Sequence, residues 1–344
     1  MQKLTGLNTG IGSLPFSDPD PALDLIFRCC PEIPFWPQLP RRGASESMVA
    51  QYSEALPCLR FTPEGVVFDP REQDAEMERF YDRLIAGDLE HFRISEGYAP
   101  GLWRFRERLG AGELERAKAL KFHVTGPFTF AGSVNDASGT PLLGDEVFMQ
   151  AFTKGLIMKA QWQAQVFGGF GKEMVLFIDE PYLSSFGSAF APINREDVLA
   201  VLGEFCGALA SDRLRVGVHC CGNTDWSLFT AIEGLSIINF DAFDFFDRVA
   251  LYAGDLKGFF ARGGILCWGI VPTQIDEKGE GLTRQLLLDK VEAGIKALVS
   301  KGVDPVQVRE QLLVSPACGL GNRTPGEAQR AFALLREVSE RLRG

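Results

Sequence analysis

The sequence predicts an α/β fold: a (β/α)8 TIM barrel carrying an extended insertion after its first strand. Three observations predict it. Short apolar runs alternate with helix-like segments along the chain. Several of the runs are continuously apolar, as parallel strands covered on both faces must be. Polar residues gather just beyond the ends of the runs, where that architecture keeps its chemistry.

The eight runs span residues 7–11, 91–94, 121–124, 174–178, 214–218, 236–240, 265–270 and 311–314. Helix-like segments fall at 74–86, 112–120, 145–167, 195–209, 226–233, 245–253, 282–300 and 324–342. The last opens with Thr324-Pro325-Gly326-Glu327: a hydroxyl cap, a proline at the first helical position, and a glutamate placed to complete a capping box. Asn194 caps another helix in the same way, and Glu196 and Asp197 suit its positive end. An open doubly wound sheet is the competing architecture, but no Gly-x-Gly-x-x-Gly follows the first run and no Walker motif occurs.

The chain reads as a single domain over residues 1–344, without internal repeat or linker. Residues 16–69 are rich in proline and too long for an ordinary connection. They are expected to form a lid, barrel cap or substrate loop, with a small hairpin around the turn Pro63-Glu64-Gly65 and Val67-Phe68.

Composition narrows the function. A formal charge of -10 repels a phosphate backbone and no Lys/Arg-rich block offsets it, so nucleic acid is not an expected partner; Arg41-Arg42 is the one early basic pair. The N-terminus has no apolar signal core, and every stretch of about 18 residues is interrupted by a charge, glycine or proline. A cytoplasmic protein without a membrane partner is expected. The 8 cysteines in 344 residues are too sparse for a disulfide scaffold and are expected to be reduced, most of them buried and a minority ligating metal.

In chain order the strand ends deliver Gly12-Ser13, Glu96, Thr125-Gly126-Pro127, Asp179-Glu180-Pro181, His219 with Cys221, Asp241, Trp268-Gly269 and Cys318. His219 and Cys221 stand two apart at the end of an extended run, so both point one way while Cys220 points elsewhere. With Cys318 they make a Cys2His donor set that suits Zn2+ and keeps a fourth position for a substrate. The plainer reading is a hydrogen-bonded core histidine and two buried apolar cysteines. A metal held there would lower the pKa of a thiol and make it nucleophilic toward a methyl group; the same donors can instead polarise water or an alcohol.

The remaining candidates each carry two readings. Asp241 is a fourth oxygen ligand, a group orienting His219, or a cap for the turn that follows it. Asp179 suits a substrate ammonium group and Glu180 a donor or leaving group, against an ordinary acidic turn. Glu96 is a second ammonium candidate, and Ser13 with its glycine-flanked amides suits a substrate carboxylate or simply a tight turn. Trp36 and Trp268 offer rings for a planar methyl donor or for the core.

Together these residues resemble the catalytic domain of the cobalamin-independent methionine synthases, within the uroporphyrinogen-decarboxylase-like barrels. Ile11-Gly12-Ser13-Leu14-Pro15 resembles that family's opening motif, Thr125-Gly126-Pro127-Phe128-Thr129 its Thr-Gly-Pro-x-Thr turn, and Ile178-Asp179-Glu180-Pro181 its Asp-Glu-Pro signature. His219-Cys220-Cys221 and Ser315-Pro316-Ala317-Cys318-Gly319-Leu320 resemble its paired zinc motifs.

The resemblance implies Zn2+ on His219, Cys221 and Cys318, with Asp241 standing where the family commonly has a glutamate ligand. It implies a homocysteine substrate, its carboxylate on Ser13 and its ammonium on Asp179, with Glu96 as the second carboxylate. Full-length relatives carry a further N-terminal barrel that helps recognise methyltetrahydrofolate, whereas short relatives draw on methylcobalamin or a corrinoid protein, so both donors are expectations. The competing readings are methyl transfer to another thiol such as coenzyme M, a decarboxylase of the uroporphyrinogen type, and a non-enzymatic zinc or corrinoid binder.

Overall fold

The computed structural model describes residues 2–188, 193–274 and 281–344. An antiparallel hairpin, β1 (Leu59–Thr62) and β2 (Gly65–Phe68), lies inside the expected insertion and turns where Pro63-Glu64-Gly65 predicted. Six parallel strands follow: β3 (Ala119–Thr125), β4 (Glu173–Asp179), β5 (Leu214–Cys220), β6 (Leu235–Phe240), β7 (Ile265–Val271) and β8 (Leu312–Pro316). They form one curled sheet in sequence order.

Twelve α-helical segments accompany them among the described residues: α1 (Pro19–Cys29), α2 (Gln73–Ile85), α3 (Pro100–Gly110), α4 (Pro127–Ser133), α5 (Glu146–Gly168), α6 (Arg195–Ala208), α7 (Ser227–Ala231), α8 (Phe246–Val249), α9 (Ala253–Ala261), α10 (Arg284–Ser300), α11 (Pro305–Glu310) and α12 (Pro325–Arg343). None of the described helices is long and apolar enough to cross a membrane. All 8 cysteines are free.

Burial on both faces explains the continuous apolar runs. One cluster, including Phe122, Val124, Leu176, Ile178, Val216 and Val218, packs beneath the helices. A second, with Ala119, Val175, Phe177, Ile237, Cys267 and Leu313, fills the inner face together with Leu7, Ile11 and Ile33 from the N-terminal segments. Period-two alternation therefore sends the polar residues of the same strands inward as well: Lys121, His123, Asp179, His219, Asn239 and Ser315 are all buried.

Two of the eight expected strands are not strands. The run at 7–11 contributes an isolated parallel bridge from Asn8 to Val314, backed by bonds from Thr9 N to Val314 O (3.2 Å) and Val314 N to Leu7 O (3.0 Å). The run at 91–94 forms a turn and irregular chain; its alternation is real, with Phe92 and Ile94 buried and His91 and Arg93 exposed, but among the described residues no strand pairs with it.

The edge of β3 is instead met by residues 32–35, through Lys121 N to Pro34 O (2.9 Å) and a Phe35–Lys121 bridge. These residues reach back to the first segment through Thr9 Oγ1 to Ile33 O (2.9 Å) and Gln38 N to Gly12 O (3.1 Å). The stretch 16–69 thus divides: Ile33, Phe35, Trp36 and Leu39 are buried in the wall, and Pro40, Glu46, Ser47 and Met48 reach the cavity described below.

Candidate metal centre

Strand register assembles the site. Thr125 pairs with Asp179, Asp179 with His219, and His219 with Asn239, so four consecutive strands deliver one row of polar side chains to the same level. Just beyond that row His219, Cys221 and Cys318 each bring a ligand atom within 4.8 Å of the others, a group that can hold a metal ion. His219 is buried and the two cysteines are half-buried. A cavity of about 300 Å3 opens over them, and its wall includes Gly12, Ser13, Asp179, His219, Cys221 and Cys318.

Asn239 fixes the histidine. Its amide nitrogen donates to Cys267 O (2.9 Å) and Ser315 Oγ (2.8 Å), which turns Oδ1 toward His219 Nδ1. An oxygen there accepts from Nδ1–H, so Nε2 keeps the lone pair that a metal needs. Sequence reading missed Asn239. The one signal was a polar residue inside an otherwise apolar run; its place beside His219 follows only from the register of the two strands.

The charges of the three ligand side chains are strongly linked. A hydrogen bond from Cys318, then one from His219, holds the Cys221 thiol well below its ordinary range, while the hydrogen bond to Cys221 and burial push Cys318 up. Burial works against a protonated His219, but Cys221, Asp179 and Asn239 together outweigh it and raise its pKa. Metal binding requires thiolate sulfurs and a neutral imidazole, so these linked protons are released when a cation binds.

Asp179 sits beside this group with its Oδ1 buried and, among the described residues, without a hydrogen-bond partner. Burial pushes its carboxyl up to about 6 against the opposing charges of His219 and Lys121. Ser13 also lines the cavity: its Oγ accepts from Gly321 N (3.3 Å), and its carbonyl from Leu320 N (2.9 Å). A Cβ at Gly319 would lie 2.2 Å from Ser13 Oγ, so a side chain there would force the Ser13 hydroxyl to turn away.

Four expectations fare differently. Asp241 is outside the group of three, and its Oδ1 accepts from Phe243 N and Asp244 N (both 3.0 Å), the capping role open to it from the start. Glu96 is exposed on a turn and does not line the cavity. Glu180 turns away into structure, accepting from Phe128 N (3.0 Å), Thr129 N (2.8 Å) and Thr129 Oγ1 (2.7 Å). Both tryptophans belong to the core: Trp36 stacks on His123 at 4.0 Å, and Trp268 packs on Phe246 at 4.7 Å.

The second carboxylate in the cavity wall is Glu46, which sequence reading passed over inside the insertion. It is 1% exposed, accepts from Leu39 N (2.9 Å) and pairs with Arg42 (2.8 Å). Burial pushes its carboxyl up to about 7. No motif marked it, because its place depends on the path of residues 33–46 along the inner wall.

No family model matches this chain, and no curated protein matches it. Among solved structures it is similar to a B12-independent methionine synthase from Shewanella sp. W3-18-1 in complex with selenomethionine, with a TM-score of 0.43 and 15% identity. The match covers 65% of this chain and 62% of that one, so the chain spans less than two thirds of that protein's length.

Proposed function

We propose that this protein is a Zn2+-dependent methyltransferase that moves a methyl group onto a small-molecule thiol, homocysteine in the first instance, giving methionine. The observation that carries the reading is the convergence of Cys318 with His219 and Cys221, which lie about a hundred residues earlier in the chain, all three ligand atoms within 4.8 Å of one another. Two soft sulfur donors and one imidazole with a fixed tautomer suit zinc, and three protein donors are what a catalytic site takes when the fourth comes from the substrate. The motif resemblance supports the same conclusion. In this reading the six-stranded sheet and the two bridged N-terminal segments are the eight walls of a closed (β/α)8 barrel.

When bound, the ion supplies the Lewis acidity that brings a thiol's pKa toward neutrality. The chain's own residues do the positioning. Asp179, buried with an oxygen that has no partner among the described residues, receives the substrate ammonium, while Glu46 on the same wall is already held by Arg42 and the Leu39 amide. Ser13 Oγ already accepts a bond from Gly321, which leaves its proton free to meet the substrate carboxylate. Asn239 holds His219 with Nε2 presented.

The test is a metal-defined assay for methionine from homocysteine, run with methylcobalamin and with methyltetrahydrofolate. At least one donor should support turnover, and Cys318→Ser should lose stoichiometric zinc and more than about 100-fold in rate. Full turnover by a Cys318→Ser protein that retains its zinc contradicts the assignment. Bound zinc without turnover on either donor moves the acceptor to another thiol.

A further inference from the structure

We propose that Lys121 is a positioning residue: from beneath the cavity it holds the loop 11–13 through the Ile11 carbonyl oxygen, and so selects thiols that carry a carboxylate as well as an ammonium group. The identity of that ligand rests on the function proposed above; the hold on the loop does not.

Lys121 and His123 point inward from β3, four and two residues before Thr125, which stands level with Asp179. Both therefore lie under the row of polar side chains rather than in it. Ile11, Gly12 and Ser13 line the cavity above them. The fully buried ammonium of Lys121 donates to Ile11 O, its one hydrogen bond among the described residues, and the ring centroids of Phe177 and Phe35 lie 4.7 and 5.7 Å away. Burial pushes its pKa down to about 8 while the charge of Asp179 opposes the fall, so the ammonium that makes this bond persists at neutral pH.

Packing alone does not require a lysine here. An ammonium in a barrel interior is costly, and an unbranched apolar side chain of similar size fills the same space without desolvating a charge. What the lysine supplies is a bond that the backbone does not. Residues 7–11 meet the sheet through an isolated bridge at Asn8, and among the described residues no backbone amide reaches Ile11 O. Lys121 takes that carbonyl from below. From the side, Gln38 N donates to Gly12 O (3.1 Å) and Leu14 N donates to Gln38 O (2.9 Å).

His123 sets the depth. A Cβ on Gly12 would lie 2.8 Å from His123 Cε1 and 2.9 Å from Nε2, so the loop already rests on the imidazole. That ring is held in turn: Trp36 stacks on it at 4.0 Å and donates through Nε1 to Gln163 Oε1 (2.9 Å), while Gln163 Nε2 (3.0 Å) and Tyr52 OH (2.9 Å) donate to His123 O. The loop is thus drawn down by Lys121 and stopped by His123, which fixes the stance of the Ser13 hydroxyl relative to Asp179. An α-amino acid presents its carboxylate and ammonium at one separation, and a loop held at one depth matches it.

The experiment titrates the zinc-loaded full chain by calorimetry with homocysteine and with homocysteamine, which lacks the carboxylate, in wild type, K121M, S13A and S13A/K121M. Wild type should prefer homocysteine by about 10-fold or more. K121M should weaken homocysteine about 5- to 10-fold and leave homocysteamine within about twofold, with zinc content unchanged. In the S13A background K121M should add less than about twofold, because the lysine acts through the loop that carries Ser13. K121Q, which keeps a donor of shorter reach, should fall between wild type and K121M, and it carries the same comparison if K121M does not fold. An unchanged homocysteine affinity, an equal loss on both thiols, or additive losses in the double variant overturns the proposal.

A methyl-transfer assay separates this claim from the proposed function. A carboxylate preference that depends on Lys121, in a protein that methylates no thiol, leaves the positioning role standing and removes the function. Turnover of homocysteine with a KM that K121M does not move keeps the function and removes the positioning role.

Discussion

The side chains that matter most are those whose hydrogen bonds leave one atom free. Asn239 spends both amide protons on Cys267 O and Ser315 Oγ and its oxygen on His219. Asn239→Ala should therefore lower zinc affinity about 10- to 100-fold without altering the ligand set, measured by competition with a chromogenic chelator. Unchanged affinity would mean that the histidine is oriented by something else. His219, Cys221 and Cys318 were legible because donor chemistry and period-two spacing travel with sequence. Asn239 and Glu46 were not, because their positions depend on strand register and on the path of an irregular segment.

Glu180 gives a pH signature at the same scale. Three donors bind its carboxylate, yet burial pushes it up from 4.5 to about 7. A folded-state value above the unfolded one favours the protonated folded form, so this contribution to stability is complete below pH 4.5 and disappears as pH rises to about 7. Equilibrium unfolding by urea should show that decline in wild type and a flatter profile in Glu180→Gln over the same window. An identical slope in both proteins would remove Glu180 as its source.

At the scale of elements, local signals held where packing agreed with them. α12 begins with the expected capping box, Thr324 Oγ1 receiving Glu327 N and Glu327 receiving Thr324 N. Thr324→Ala should cost about 1 kcal/mol in denaturant unfolding, and no measurable loss would mean that tertiary contacts alone hold this end of the helix.

Signals failed where tertiary context overruled them. Leu114, Ala117 and Leu120 suggest a helix across 112–120, but strand pairing with β4 begins at Ala119 and takes the end of that segment. The helix lies earlier, at α3, where Pro100 opens it and Leu102, Phe105 and Leu109 form the buried face. Glycine at 126 is set by the neighbouring element: a Cβ there would lie 2.2 Å from Glu180 Cδ. Gly126→Ala should destabilise by more than about 2 kcal/mol, and a loss within about 0.5 kcal/mol would show that Glu180 can move aside at little cost.

For the whole molecule, the continuous apolar runs predicted a parallel sheet buried on both faces, and six of the eight runs form one. The first two were harder to read because residues 6–14 and 32–38 reach the sheet edges through scattered bonds and isolated bridges rather than regular ladders. Those segments bring Gly12, Ser13 and Gln38 to the ends of strands that carry Asp179, His219, Cys221 and Cys318. The cavity thus depends on both ends of the chain meeting across β3 and β8.

Everything chemical in this account requires one ion among three donors, and X-ray absorption at the zinc edge on the zinc-loaded full chain reads that directly. One zinc per chain with two sulfur and one imidazole scatterers is expected, with a third sulfur on addition of homocysteine and loss of one protein sulfur in Cys318→Ser. Substoichiometric zinc, or a sulfur count that Cys318→Ser leaves unchanged, would contradict it.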